Sequence, residues 1–520
     1  MINKNERRTA ILLLLAAISI ACAQRDSAAW RYTATLLASN ADADDQLGAG
    51  GALMGPTLAI SRDGSTLAVA APHEDSAALS VDGDQTDNSA YGAGAVYVLT
   101  RSGETWAQQA YLKASNTALG DSFGFALALS GDGDTLAVSA NFESSGATGI
   151  DGDQTDDSAE TAGAVYVFTR TGDRWSQQAY VKPSNTDAGD RFGFSLALSD
   201  DGSTLAVGAI GEDSAAAAID GDQSDNSAEG AGAVYVFGRS GSTWTQRSYL
   251  KASNAEAGDL YGFCVALSAD GDTLGVCAFD EDSAAEGIDG DQADNRAGGS
   301  GAAYVLVRDG ATWRQQAYVK QSNTTLQSAF GTAIALSADG NTMVVTAGDE
   351  DGTEPGVGAP QWQVDRPAHE RTRVTEGAAG ALYVYSRAGS AWSFDTYIKS
   401  SNIRIFDTFG GRLALSASGE LLVAGAQQQP GGGAGLDPSS TDASAPESGA
   451  AYVFVRDQDR WREEAYIKAP DATEYDLFGS GVAVSGDGRL LAVAASGADG
   501  PEDDRRDAGA LYMYTRSAPK

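Results

Sequence analysis

The chain has 520 residues, with 35 Lys and Arg against 71 Asp and Glu, a formal charge of −36. That balance excludes nucleic acid as a partner, because phosphates need Lys and Arg, and it suits cations, basic partners or simple solubility. Gly is abundant and long helical periodicity is missing, so many short strands and turns are expected.

In chain order, residues 1–23 read as an export signal. Lys4, Arg7 and Arg8 precede an apolar run from Thr9 to Ala21, which is too short to span a bilayer comfortably. The stretch "ISIACAQ" puts Ala21 before Cys22 and resembles a bacterial lipobox, although Ser19 stands where Leu is more usual. Cys22 would carry the lipid; cleavage after Ala23, with "ACA" as the A-x-A site, is the alternative. Residues 24–29 form a short linker.

From residue 30 to 520 the chain repeats. An aromatic-Gly block opens at Phe123, Phe192, Tyr261, Phe330, Phe409 and Phe478, with a degenerate first copy at Met54. The spacings are 69, 69, 69, 69, 79 and 69 residues, a period that signals a repeat array with one shared core. Each block alternates large and small side chains, as a strand does. A tight turn such as "GDGD" (Gly131–Asp134) leads to "TLAVSA" (Thr135–Ala140), then an acidic loop, then "GAVYVF" (Gly163–Phe168), then a block that starts at Trp, "WSQQAYVK" (Trp175–Lys182). Each unit predicts a four-stranded antiparallel meander. Stacking such units radially covers both faces of every sheet.

Counting tryptophans closes the ring. Trp30, Trp106, Trp175, Trp244, Trp313, Trp392 and Trp461 begin fourth strands, yet the unit from Phe478 ends after its third. The surplus fourth strand is "WRYTATLLASN" (Trp30–Asn40), which aligns with "WAQQAYLKASN" (Trp106–Asn116). The N-terminal strand should complete the last blade, giving an all-β, seven-bladed propeller without an unpaired edge at the seam.

The aromatic-Gly block, "LAVGA" (Leu205–Ala209) and "GAVYVF" together resemble the FG-GAP repeat of integrin alpha-chain propellers, also carried by many exported bacterial proteins. The resemblance implies a binding, adhesion or scaffold role and calcium in the 1–2 turns. Here those turns, such as "SGDGDT" (Ser130–Thr135), are too short for a cage of six to eight oxygens.

The acids gather instead in the 2–3 loops: Asp82, Asp84 and Asp87; Asp151, Asp153 and Asp156; Asp220, Asp222 and Asp225; Asp289, Asp291 and Asp294. Glu74, Glu143, Glu212 and Glu281, and Asp121, Asp190 and Asp259 in the 4–1 crossings, are expected on the same face. The D-x-D spacing with Gly resembles the start of a calcium loop, so calcium is the cofactor expected there; the alternative is Asx-turn chemistry, since Ala293 holds a would-be ligand position in the fourth copy. The blade 5 loop, residues 348–380, is ten residues longer than its equivalents and lacks "DGDQ". Its Trp362, Arg366, His369, Arg371 and Arg373 make it a candidate recognition element for a protein or glycan ligand. The blade 6 loop (Gln427–Ser448) reads as flexible and inert.

Cys264 and Cys277 both fall in blade 4. If Val265 faces Val276 and Leu267 faces Leu274, the two cysteines lie opposite each other, and an oxidising compartment would favour a disulfide; two small buried thiols are the alternative. With two histidines and three cysteines, no catalytic constellation can be assembled. The expected protein is a monomeric cell-envelope binding propeller, touching the membrane only through its lipid, or secreted in the alternative processing. The competing reading is an extracellular carbohydrate-active enzyme with carboxylates near the channel.

Overall fold

The aromatic-Gly, "LAV", "AVYV" and Trp blocks form strands 1 to 4 of each repeat, from the axis outward. The computed structural model describes residues 30–49, 55–361, 379–438, 442–499 and 506–517. It holds seven four-stranded antiparallel sheets; six are contiguous in sequence. In the seventh, Trp30–Leu36 lies beside Ala510–Arg516, with pairs running from Trp30 opposite Arg516 to Leu36 opposite Leu511. The displaced strand read from the sequence therefore closes the ring.

Strand 2 is buried at every position in all seven blades, as in Leu205 and Val207 of Thr204–Ala209. Such strands are sandwiched between neighbouring sheets, and the core is a ring of inter-blade layers. Phe192 opens blade 3 and packs edge-on against Tyr235 and Phe237. The backbone of this aromatic is stitched to the preceding blade: Phe192 N–H donates to Ala162 O at 2.8 Å. Gly163, at φ +80°, sits against that stitch, and a Cβ there would lie 2.1 Å from Phe192 O. The Gly before each "AVYV" strand is thus what lets two blades approach. Three fourth-strand tryptophans reach backward in the same way: Trp175, Trp244 and Trp392 donate from Nε1 to Oε1 of Gln109, Gln178 and Gln316 at 2.9 to 3.0 Å. Trp30 makes the same contact across the seam, to Glu464 Oε2 at 3.1 Å.

At the 1–2 turn end the channel has a floor. Arg62, Gly131, Asp200, Ala269, Ala338, Ala417 and Gly486 each donate their backbone N–H to the carbonyl of the next, and Gly486 donates to Arg62. This circle of seven bonds, 2.8 to 3.1 Å long, is complete. The Arg62 guanidinium pairs with Asp200 across it. In blade 4, Val265 faces Val276 and Leu267 faces Leu274, and Cys264 is joined to Cys277 with Cα atoms 5.1 Å apart.

Candidate functional site

The 2–3 loops and 4–1 crossings form the face opposite the floor. Each "DGDQ" loop turns back along its own fourth strand. In blade 2, Ile150 bridges to Val181, and Asp151 exchanges bonds with Tyr180: its N–H donates to Tyr180 O at 2.8 Å, and its Oδ1 accepts from Tyr180 N–H at 2.9 Å. Asp153 Oδ1 accepts from the N–H and hydroxyl of Thr155, and Asp156 Oδ1 accepts from Ser158 N–H. The pattern repeats in the loops of Asp82, Asp220 and Asp289. In the fourth copy Asp291 caps Ala293 N–H, so the cap needs no hydroxyl. The same staple holds blade 6 through Asp437, whose Oδ1 accepts from Tyr466 N–H at 3.0 Å. Its loop, expected to be inert, is anchored there. In blade 5 Gly358 takes the place, at φ +69°, with its N–H on Tyr397 O.

These aspartates serve backbone amides in three separate turns of each loop and do not converge. Among the described residues no group of three or more Asp, Glu, His or Cys is arranged to hold a metal ion. The hydrogen bonds within each loop are those of Asx-turn chemistry. If that is their whole role, saturating calcium leaves the melting temperature unchanged. If the loops bind calcium, it should stabilise the fold by about 2.7 kcal/mol per site at a hundredfold excess over Kd, raising the melting temperature, and that response should be lost when Asp84, Asp153, Asp222 and Asp291 become Asn.

The glutamates grouped with these acids are not on the surface. Glu143 is buried and accepts from Lys182 Nζ at 3.0 Å, Tyr180 Oη at 2.7 Å and Asn116 Nδ2 at 3.0 Å. Asn116 in turn accepts from Tyr166 Oη. Blades 1, 3, 4 and 5 repeat the pair as Glu74–Lys113, Glu212–Lys251, Glu281–Lys320 and Glu350–Lys399. Blade 6 has Gln429 opposite Lys468, Oε1 to Nζ 3.1 Å. Burial lowers Lys468 to about 8.

The crossing aspartates are buried too, each capping the N–H three residues before it, as Asp121 caps Ala118 at 3.0 Å. Burial, with Glu143 and Asp157 nearby, pushes Asp121 up to about 7. For the same leading reason Asp45, Asp259 and Asp407 rise to about 7 and Asp190 to about 8. The folded state then holds more protons than the unfolded state between about pH 4 and 8, so stability falls as pH rises through that window. The melting temperature should be at least roughly 5 °C higher at pH 5 than at pH 8. Asn at positions 121, 190 and 259 should flatten the slope; an unchanged slope in that variant would count against this source.

A cavity of ≈ 70 Å³ lies between the first strands and is walled by Leu58, Phe263, Val265, Ile334, Leu413 and Val482, with Cys264 in the wall. Among the described residues Arg412 is the one charged side chain lining it. Its Nε and Nη1 donate to the carbonyls of Ser480 at 3.1 Å and Gly411 at 2.9 Å. A second cavity of ≈ 170 Å³ at the mouth shares Thr332 and Gly411 with the first and includes Asp349. Among the described residues, Asp349 is the one carboxylate lining either cavity. Sequence reading passed over Arg412, although "FGGRLALS" puts a charge where other copies have Thr57, Ala126, Ser195, Cys264, Ala333 and Gly481. Trp362, Arg366, His369 and Arg371 lie outside the described residues, as does Cys22.

The FG-GAP repeat model matches residues 106–168, 175–237 and 461–514. Each match runs from a fourth-strand Trp through the third strand of the following blade. No curated protein matches the sequence. Among solved structures, the chain is similar to the β-propeller domain of Cps50 (Swd1) of Myceliophteria thermophila, with 10% identity and a TM-score of 0.46, covering 89% of this chain and 98% of that one. It is also similar to the periplasmic gluconolactonase PpgL of Pseudomonas aeruginosa, with 15% identity and a TM-score of 0.41, covering 81% and 86%. The chain is a seven-bladed β-propeller in which the FG-GAP repeat model matches three stretches.

Proposed function

We propose that the protein is an exported, lipid-anchored binding module whose recognition face is the ring of 2–3 loops and 4–1 crossings. The observation that carries this reading is the placement of exposed apolar side chains. Of nine large ones among the described residues, six stand on this face: Leu79, Tyr91, Leu119, Ile405, Phe406 and Tyr475. The other three, Tyr32, Leu37 and Phe394, belong to the outer strands or their ends. Tyr91 and Leu119 are brought together by the bond from Gly120 N–H to Tyr91 O. Apolar groups rimmed by polar loops mark interaction surfaces. FG-GAP repeats occur in extracellular proteins, which supports export, and Cys22 supplies the anchor.

Two measurements test the reading. Retention on envelope fractions, both protein and glycan, is compared for wild type and a variant with Tyr91, Leu119, Phe406 and Tyr475 changed to Ser. The variant should lose retention with an unchanged melting temperature; equal retention overturns the face. Mass spectrometry of the mature N-terminus should find a diacylglyceryl-modified Cys22, and an unmodified chain starting at Gln24 overturns the anchor.

A further inference from the structure

At the blade boundaries on the face of 2–3 loops and 4–1 crossings, a crossing residue donates its backbone N–H to a loop carbonyl of the blade before it. Gly120 donates to Tyr91, Gly189 to Glu160, Gly258 to Glu229 and Tyr475 to Pro446, at 2.9 to 3.0 Å. The three glycines sit at φ +82°, +89° and +89°, a region that glycine enters freely. In later copies Gln327, Phe406 and Tyr475 take the place, at φ +55°, +68° and +67°. A bulky aromatic there is strained, and burial does not compensate, since Phe406 is 59% exposed and Tyr475 54%. Side chains kept at a strained position and left in water face a partner outside the chain.

Charge says what that partner is. With Ile405, Tyr91 and Leu119, the two aromatics form an apolar arc over the 5–6, 6–7 and 1–2 boundaries. The 2–3 and 3–4 boundaries are acidic instead. Glu160 and Glu229 stand there in the place of Tyr91, with Asp187 and Glu256 on the adjoining crossings, and all four are exposed. Among the described residues every lysine is buried, so no lysine offsets these acids at the surface. A second copy of the chain, at −36, would set like charge against like. A neutral glycan would desolvate carboxylates without a counter-charge. Taking this ring as the recognition face, as above, we propose that it docks a cationic polypeptide segment. Its apolar side chains cover Phe406, Tyr475, Tyr91 and Leu119, and its Lys and Arg side chains meet Glu160 and Glu229.

The test is titration of the full mature chain with a dodecapeptide of four Lys-Phe-Ser repeats, read by fluorescence anisotropy and calorimetry. The matching Glu-Phe-Ser and Lys-Ser-Ser peptides and the neutral sugar chitotetraose should each bind at least about tenfold more weakly. Raising NaCl from about 50 to about 300 mM should weaken the Lys-Phe-Ser peptide by about tenfold. Phe406→Gly with Tyr475→Gly installs the residue of the other copies; it should lower affinity about tenfold without lowering the melting temperature. Glu160→Gln with Glu229→Gln should lower affinity and flatten the salt dependence. Equal or tighter binding of the Glu-Phe-Ser peptide or the sugar, or no saturable binding of the Lys-Phe-Ser peptide, overturns the partner chemistry. The recognition face itself still stands in that case if the serine variant described above loses envelope retention. A marked fall in melting temperature in the glycine variant would make the two aromatics structural and overturn their docking role. Self-association of the wild type that the glycines abolish would give the arc to a second copy, which overturns the proposal too.

Discussion

A chain from which residues 30–40 have been removed should not yield a soluble monomer. Those residues supply the outer strand of blade 7, and their loss uncovers Ala510–Arg516 along six paired positions. It also removes Trp30, which is 2% exposed, and Asn40, whose side chain donates to Glu74 and accepts from Tyr97 in blade 1. The deletion therefore opens both sides of the seam at once. An uncovered strand edge recruits other chains, so the expected product is aggregate on size-exclusion chromatography, and a synthetic peptide of residues 30–40 added during refolding should restore monomer. The milder Trp30→Ala should cost about 3–5 kcal/mol. Trp106→Ala should cost less, since Trp106 is only half-buried. A monomeric deletion variant with an unchanged melting temperature would show that the seam is held elsewhere.

The buried pairs of blades 1 to 5 give the second large effect. Lys182→Met removes the cation beside buried Glu143 and leaves Tyr180 and Asn116 as its side-chain donors, which should cost about 3–5 kcal/mol. Replacing both members, as Glu143→Gln with Lys182→Met, should recover most of that loss, because the stranded charge is gone. Denaturant unfolding of the two single and one double variant measures the coupling. Near-additive losses would mean that the two side chains act through packing and not through each other. Blade 6, with Gln429 facing Lys468, already lives with a neutral acceptor. Blade 7 has neither member: Ala498 and Leu37 occupy the two places.

The ring was legible because it depends on counting, and the seven Trp strands and the shortened last repeat are counted without knowing a single contact. The side-chain directions were not legible. Asp82, Asp84 and Asp87 have metal-loop spacing, but spacing does not say that their oxygens turn back to three different amides. Glu143 looked like one more surface acid because its partner Lys182 is 39 residues away. The signal was present all the same: every unit with that Glu ends its fourth strand in "YLK", "YVK" or "YIK". Asp437 escaped notice because the rest of its loop had lost the motif, while its position in the period was kept. Arg412 escaped because it breaks the repeat instead of following it.

The hydrogen-bonded circle at the channel floor bears on how such a chain can change its length. A repeat gene readily gains or loses a unit by misaligned recombination. Here each first turn must place its amide on the carbonyl of the next, and the last on the first, within 2.8 to 3.1 Å. With an eighth unit the circle widens around an opening that Arg62 and Asp200 no longer bridge, and with six the side chains of the turns collide, as Gly131 and Gly486 already lie within 2.7 Å of where a Cβ would strike Asp200 and Arg62. The floor thus acts as a gauge for seven units, and variation is left to the opposite rim, where the blade 5 loop has grown by ten residues without disturbing the count.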